Sequence, residues 1–190
     1  TSDFGVNWLK LRNGQNNKFN YIQFVDKNTG YICGNDGILL KTTDGGNSWE
    51  EKFINSETNN FYLQFFNLDT GFVVSKDAHK VYFSKTTDGG LNWRIVLDNG
   101  IVNKYGNVLA YSFPSPDFII ISSVYYDIQR TLDGGITWDT LKAYFNSSLV
   151  EMDFKKNGFG IGIAYSLVQD TYNLIQSTDY GSTWSILENQ

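Results

Sequence analysis

The segment Thr42-Thr43-Asp44-Gly45-Gly46-Asn47-Ser48-Trp49 decides the fold, because close copies of it recur along the whole chain. The copies share the pattern Ser/Thr-x-Asp-x-Gly-x-Ser/Thr/Asn-Trp and begin at residues 1, 42, 86, 131 and 177. They contain all 5 tryptophans of the chain, at spacings of 41, 44, 45 and 46 residues. Such a period is long enough for one small group of strands and too short for a domain. The sequence therefore predicts a repeat protein.

Each copy supplies an aspartate, a glycine and a tryptophan at fixed positions, and we assign these residues a structural role. They are Asp3, Gly5, Trp8, Asp44, Gly46, Trp49, Asp88, Gly90, Trp93, Asp133, Gly135, Trp138, Asp179, Gly181 and Trp184. A hairpin turn explains the pattern, because the carboxylate accepts hydrogen bonds from backbone N–H groups of the turn and glycine takes a positive φ. The tryptophan begins the next strand and covers the hairpin, so we expect the last four tryptophans to be largely buried.

A calcium-binding loop is the competing interpretation of the repeated aspartate. Such a loop needs several oxygen ligands in alternation and a glutamate at its end. Each copy offers only one aspartate, which falls short of such a ligand set. The sequence therefore favours a structural turn, and it predicts no bound metal and no cofactor.

The pattern resembles the Asp-box, or BNR, repeat of sialidases, sortilin-type receptors, xyloglucan-cleaving glycosidases and photosystem II assembly and stability factors. The form Thr-Thr-Asp-Gly-Gly-x-x-Trp, preceded by Gly-Tyr-Ile-Cys-Gly-Asn-Asp-Gly at 30–37, is most similar to the assembly-factor group. That group also has bacterial relatives without a photosynthetic role. The resemblance covers almost the whole chain and implies an all-β propeller of four-stranded antiparallel blades. It says much less about function.

Composition and charge exclude several classes of protein. The chain has 190 residues, of which 41% are hydrophobic, 16% aromatic and 18% charged, a profile that suits an ordered all-β protein. Its net charge of −5 comes without a basic stripe, so nucleic-acid binding has no electrostatic drive. No apolar run reaches the roughly 18 residues of a membrane span.

Asp-box propellers are mostly exported or lumenal, so the resemblance implies an exported protein, in the periplasm, at the cell surface or outside the cell. We also expect a bacterial origin.

The single cysteine, Cys33, excludes an internal disulfide. It lies in the strand-like run Tyr31-Ile32-Cys33, which indicates a buried and unreactive thiol. The single histidine, His79, belongs to a different repeat. A catalytic Cys–His pair is therefore not expected.

Each interval between copies contains four short strand signals separated by turn residues. In the first interval they are Tyr21–Val25, Tyr31–Gly34, Ile38–Lys41 and Trp49–Phe53. Four antiparallel strands per repeat fit a sandwich or a propeller, and the recurrence of one hairpin chemistry favours the propeller. The predicted blades are residues 13–54, 55–98, 99–142 and 143–190, after a partial blade at 1–12 that supplies only an outer strand.

The chain thus has five predicted outer strands for four sets of inner strands. A closed ring of four blades needs no fifth outer strand. We therefore expect a segment of a larger propeller, about seven-bladed by analogy with the assembly factors. A four-bladed ring with an extra N-terminal strand remains the alternative.

Two kinds of active site can be tested against the residues present. The resemblance to sialidases would imply an arginine triad, an Arg-Ile-Pro motif and a tyrosine nucleophile; the chain has no such motif, and Arg12, Arg94 and Arg130 lie outside the predicted inner strands. A xyloglucanase-like site needs two carboxylates across a cleft. The only candidate pair is Glu151 and Asp153, about 7 Å apart on one face of an inner strand. Polar lining of a wet channel is the competing interpretation of this pair.

A binding surface is predicted on the face of the propeller opposite the repeated turns. Its loops vary in length and carry tyrosines, which are enriched in protein interfaces. The candidate partner-binding residues are Tyr105, Tyr125, Tyr126, Tyr165, Tyr172 and His79. Packing between blades is the competing interpretation of Tyr165 and Tyr172. Adjacent Tyr125 and Tyr126 cannot both point inward from a strand, so we expect one of them to be exposed.

The sequence as a whole predicts a non-enzymatic propeller scaffold that binds another protein. Its role would lie in the assembly or stabilisation of a complex, or at the cell surface. A glycan-binding or glycan-cleaving propeller is the alternative. Bound sugar, or hydrolysis of a glycan, would distinguish the two.

Overall fold

The computed structural model describes residues 3–8, 18–98, 108–123, 127–142, 147–166 and 168–187. These ranges contain strands and turns and no helix, so none of them holds a helix that could cross a membrane. The strands are β1 (Phe19–Phe24), β2 (Gly30–Gly34), β3 (Ile38–Thr42), β4 (Glu50–Phe53), β5 (Asn59–Phe65), β6 (Gly71–Lys76), β7 (Val81–Thr86), β8 (Arg94–Leu97), β9 (Val108–Ser112), β10 (Ile119–Ser123), β11 (Asp127–Thr131), β12 (Asp139–Lys142), β13 (Ser147–Phe154), β14 (Gly160–Ser166), β15 (Thr171–Ser177) and β16 (Ser185–Ile186).

The strands form four antiparallel sheets of four strands each, in chain order, which we call blades 1 to 4. The predicted fold, an all-β propeller built from such blades, is confirmed. The strands of the four sheets fall inside the ranges 13–54, 55–98, 99–142 and 143–190. The blade boundaries themselves stay a prediction.

The middle strands of a blade are apolar on both faces because each face meets a neighbour. In β6, Phe72, Val73 and Val74 are all fully buried, although they alternate between the two faces of the sheet. Glycine begins this strand for a local reason. A Cβ at Gly71 would lie 2.6 Å from the ring of Phe65 on the paired strand, so only glycine fits beneath that ring.

Successive blades pack face to face through aromatic rings. Tyr31 of blade 1 stacks on Phe65 of blade 2, with ring centroids 3.7 Å apart and planes within 3°. Tyr62 of blade 2 lies 5.0 Å from Tyr111 of blade 3. Blades 3 and 4 share one apolar cluster that contains Phe118, Ile120, Leu149, Phe154 and Trp184.

The inner strands add hydrogen bonds between blades. Gln23 of blade 1 donates from Nε2 to the carbonyl of Phe65 at 3.0 Å and accepts from the backbone N of the same residue at 2.7 Å. At the corresponding place between blades 3 and 4, the backbone N of Phe154 donates to Ser112 Oγ at 3.1 Å. Side chains of one blade thus complete the backbone hydrogen bonding of the next.

We call the face that each blade turns toward the next blade in the chain its forward face. This face is buried in blades 1 to 3 and exposed in blade 4. Strand pairing places three apolar or small residues at equivalent positions of each forward face. These are Tyr31, Cys33 and Leu39 in blade 1, Phe72, Val74 and Phe83 in blade 2, Ile120, Ser122 and Ile128 in blade 3, and Ile161, Ile163 and Leu174 in blade 4. The first nine are at most 1% exposed, whereas the last three are 40%, 39% and 49% exposed. The described blades therefore form an open arc, since a closed ring of these four blades would bury all twelve residues.

The predicted partial blade at the N-terminus is described only at residues 3–8. These residues form a turn like the later copies: the backbone N of Asn7 donates to Asp3 Oδ1 at 3.0 Å, and Trp8 Nε1 donates to the carbonyl of Gly5 at 2.9 Å. Trp8 is 78% exposed. The outer strand that was predicted to follow it lies outside the described residues.

Candidate functional site

The Asp-box aspartates have their acceptor sites filled by their own turns. Asp44 accepts from Thr42 Oγ1 at 2.7 Å and from the backbone N and hydroxyl of Ser48 at 2.9 and 2.5 Å. These hydrogen bonds, above all the one from the Ser48 hydroxyl, lower the pKa of Asp44 to about 2. The carboxylate is therefore ionised at neutral pH and used inside the turn, which is what a structural role requires.

The box turns dock on the loop between the first two strands of the same blade. The backbone N of Gly45 donates to the carbonyl of Asn28 at 2.8 Å, and that of Gly89 donates to the carbonyl of Asp69 at 2.8 Å. The opposite end of blade 1 has its own contact with the connection to blade 2: the backbone N of Gly37 donates to the carbonyl of Thr58 at 2.6 Å. The boxes thus occupy one end of the blades, and the loops at the opposite end, the free face, are independent of them.

As expected, none of the four later box tryptophans is exposed, although they differ in burial. Trp184 is buried, but Trp49, Trp93 and Trp138 are only half-buried. The ring lies at the outer edge of the blade, where one side covers the box glycine and the other side meets solvent. Three of the indoles donate to the box glycine carbonyl, while Trp138 Nε1 donates to the carbonyl of Val96 in blade 2 at 3.0 Å.

A basic residue directly before the box joins each of blades 1 to 3 to the box of the next blade. Lys41 Nζ donates to the carbonyl of Gly89 at 2.9 Å, and Lys85 Nζ donates to the carbonyl of Gly134 at 3.2 Å. Arg130 donates to the carbonyl of Tyr180 at 2.8 Å, the same position of the fourth box. Sequence reasoning missed these contacts. The signal was present as a lysine or arginine immediately before three successive boxes.

In blade 4 this position is Gln176, on the open forward face. The exchange of a basic residue for a neutral amide is a second way in which blade 4 differs from the others.

The structure brings two of the six candidate partner-binding residues together. Tyr165 and Tyr172 pair across β14 and β15, with ring centroids 4.9 Å apart, and Tyr172 is 69% exposed. The hydroxyl of Tyr165 donates to Asp170 Oδ1 at 2.6 Å, and this hydrogen bond raises the pKa of Tyr165. His79 is exposed in a loop of blade 2, where its backbone N donates to Asp77 Oδ1 at 2.6 Å. The other three candidates, Tyr105, Tyr125 and Tyr126, lie outside the described residues.

The candidate catalytic pair, Glu151 and Asp153, lies on one strand, β13, and both side chains are exposed. They share the forward face of blade 4 with Ile163 and Ile161, with which they pair. Two carboxylates on one face of one strand do not flank a cleft, as the xyloglucanase-like arrangement needs. Asp153 Oδ1 instead accepts from Ser112 Oγ of blade 3 at 3.3 Å.

Neither a reactive thiol nor a metal cluster emerges from the described residues. Cys33 is fully buried, as the sequence predicted, and burial raises its pKa to about 12. Within the described ranges, no three histidine, cysteine, aspartate or glutamate side chains gather closely enough to hold a metal ion.

Comparisons with known proteins agree with this architecture. A curated relative, the photosystem II assembly lipoprotein Ycf48 of Synechococcus sp. (strain CC9902), is 22% identical over 148 residues, which are 75% of this chain and 42% of the relative. The chain therefore spans less than half the length of that relative. Among solved structures, YCF48 bound to D1 peptide has a TM-score of 0.54 at 16% identity, and the alignment covers 90% of this chain and 82% of that chain. The GH74 enzyme of Niastella koreensis has a TM-score of 0.69 at 15% identity, over 95% of this chain and 33% of that chain.

The two structural similarities establish the propeller fold and, at this level of identity, nothing about activity. The family-level match is more specific. The model for photosynthesis system II assembly factor YCF48 matches residues 3–110, which contain the first three boxes and more than half of the chain. We conclude that this chain belongs to the YCF48 family of photosystem II assembly factors, a family of assembly factors rather than of enzymes.

Proposed function

We propose that the chain is part of a non-enzymatic scaffold that binds a polypeptide during the assembly or stabilisation of a protein complex. The observation that carries the proposal is the family match over residues 3–110, since the family is described by its role in assembly. The named relative is likewise an assembly protein, and one structural neighbour holds a peptide of the D1 protein.

The geometry supports binding rather than catalysis. The box carboxylates are used within their own turns, and the one candidate catalytic pair lies along a single strand. What the blades offer to a partner is a rigid framework with loops at its free face, the usual arrangement of a binding protein. Tyr172 lies on the forward face of blade 4, beside Tyr165 and next to a loop of the free face, and its exposed ring makes it a candidate for contact with a partner.

Export from the cytoplasm is part of the same proposal. The relative from Synechococcus is named a lipoprotein, which fits a protein that is exported and held at a membrane surface. Fractionation of the producing cells, with the full-length protein detected by antibody, tests this part: recovery in the cytoplasmic fraction alone would contradict it.

The experiment that tests the binding function uses the purified protein on an array of overlapping peptides that cover the D1 sequence. We expect discrete binding segments, with binding lost when the same residues are scrambled. A chain that binds neither D1 segments nor any protein captured from the native membrane extract would contradict the proposal. A parallel panel of glycans tests the alternative, and sugar binding or hydrolysis without peptide binding would favour it.

A further inference from the structure

The inner strands of blades 2, 3 and 4 line an open cavity of about 470 Å³ that no role described so far uses. Its lining includes Tyr62, Gln64, Tyr111, Ser112, Glu151 and Asp153. The tyrosine rings continue into a row, because Tyr21 of blade 1 lies 4.6 Å from Tyr62 and Tyr62 lies 5.0 Å from Tyr111. The cavity is therefore lined by tyrosine rings and by two carboxylates.

The two carboxylates of the cavity have no cationic partner among the described residues. No described lysine, arginine or histidine lines the cavity, and neither Glu151 nor Asp153 forms an ion pair with a described residue. The contacts that they do make are weak: the backbone N of Met152 lies 3.3 Å from Glu151 Oε1, and Ser112 Oγ lies 3.3 Å from Asp153 Oδ1. Both groups retain free acceptor positions that face the cavity.

The repeat itself does not require acidic residues here. The positions equivalent to Glu151 hold Tyr21, Tyr62 and Ala110, and those equivalent to Asp153 hold Gln23, Gln64 and Ser112. Three blades thus fold with neutral side chains at both places. Among the four described blades, the two acids are a departure confined to blade 4.

The pKa values of two tyrosines that line the cavity are raised, mainly by burial and to a smaller extent by these carboxylates. Burial raises the pKa of Tyr111 to about 12, and the negative charge of Glu151 adds to the increase. Burial also raises the pKa of Tyr62, with Asp153 among the smaller causes. Both phenols therefore stay neutral and present uncharged ring faces in a region of negative potential.

We propose that this cavity binds a cationic side chain, lysine or arginine, of a polypeptide partner. Aromatic faces attract a cation through their quadrupole, and an ionised carboxylate forms a charge-assisted hydrogen bond with the same group. The cavity combines both elements and lacks any positive charge of its own among the described residues. The inference rests on the proposed protein-binding function and specifies the chemistry of the segment that is bound.

The test uses three capped tripeptides, acetyl-Gly-Arg-Gly-amide, acetyl-Gly-Lys-Gly-amide and acetyl-Gly-Gln-Gly-amide, titrated into the protein by NMR. We expect binding of the arginine and lysine peptides, no binding of the glutamine peptide, and weaker binding at high salt. Glu151→Gln and Asp153→Asn should each weaken the binding of the arginine peptide by about tenfold. The matched control is Asp69→Asn, because Asp69 is an exposed acid in a loop at the box end of blade 2 and does not line the cavity. Unchanged thermal unfolding of the variants shows that they remain folded.

Equal binding of the glutamine peptide, or unchanged binding after Glu151→Gln, would overturn the inference. Its failure is distinguishable from failure of the proposed function. If D1 segments or a native partner still bind while the tripeptides do not, the scaffold function stands and the cavity plays no part in it. If the arginine tripeptide binds but no polypeptide partner does, the cavity site is real and the scaffold function is wrong.

Discussion

The forward faces of blades 1 to 3 and the forward face of blade 4 are built alike and yet differ in exposure. Cys33 and Ile163 occupy the same position of the sheet, but Cys33 is fully buried and Ile163 is 39% exposed. The local strand pairing is the same, so the difference comes from the blade that covers the face of blade 1, which has no counterpart over blade 4 among the described residues. Stability in such an array is therefore a property of interfaces between repeats more than of the single repeat.

The largest loss of stability is expected for a substitution on the third strand of a buried forward face. Phe83→Ala empties a fully buried position between blades 2 and 3 and should lower the free energy of unfolding by about 3–5 kcal/mol. Leu174→Ala, at the equivalent place on the open face, should cost less than about 1 kcal/mol. Urea unfolding of both variants measures the difference, and equal losses would show that the face of blade 4 is covered.

The basic residues before the boxes allow a second comparison between blade 4 and the others, with a smaller expected effect on stability. Arg130→Gln removes the guanidinium donor of the Tyr180 carbonyl, which should cost about 1–3 kcal/mol of unfolding free energy, whereas the Asp179 carbonyl keeps its donors from Ser182. The control, Gln176→Ala, changes the same position of blade 4 and should cost less than about 0.5 kcal/mol. If both variants unfold at the same urea concentration, these interblade contacts contribute nothing to stability.

The Asp-box turns are alike in all four blades. Because the pKa of their aspartates is lowered, they predict that the protein loses stability in acid. The folded-state pKa of Asp44 and that of Asp88 are each about 2, below the ordinary value of 3.8. A lowered carboxylate pKa stabilises the folded state above the unfolded-state value, and this contribution is lost as the pH falls from about 4 toward 2.

Urea unfolding at a series of pH values in this window measures the loss. Asp44→Asn removes one titrating group, so the variant should be less stable at neutral pH and should lose less stability on acidification. A variant with the same slope as the unsubstituted protein would show that Asp44 is not held by its turn.

The smallest effect on stability is expected at the exposed tyrosine of blade 4. Tyr172→Ala should change the free energy of unfolding by no more than about 0.5 kcal/mol, because the ring is 69% exposed. The same variant should weaken binding of a polypeptide partner in the array experiment. His79→Ala, in a loop of blade 2, serves as the comparison, and unchanged binding by both would place the contact surface elsewhere.

The sequence predicts the repeat unit well because its chemistry is local. The turn depends on Asp44, Ser48 and a glycine within a few residues, so its hydrogen bonds can be anticipated from spacing alone. Four strands per interval and a buried Cys33 follow from the alternation of apolar runs and turn residues. The family resemblance, the absence of a sialidase site and the all-β fold were likewise available from the residues.

What the sequence did not reveal depends on contacts between repeats. The remaining exposure of Trp49, which is greater than that of Trp184, is specified by no local pattern, since both hold the same position of the box. The contact from Lys41 to the carbonyl of Gly89 joins residues 48 positions apart, across a blade interface. The cavity on the inner strands joins three blades, and only the arrangement of the sheets brings the Glu151 carboxylate toward Tyr111.

The most direct measurement of the central comparison is the rate at which thiols at its two matched positions react with a maleimide. The native Cys33 serves for blade 1, and the variant Cys33→Val/Ile163→Cys moves the single thiol to blade 4. We predict that the thiol at position 33 reacts only as fast as the protein unfolds, because burial hides it and raises its pKa to about 12. The thiol at position 163 should react in the folded protein at a rate near that of an unstructured peptide. Equal protection of the two thiols would contradict the open forward face of blade 4.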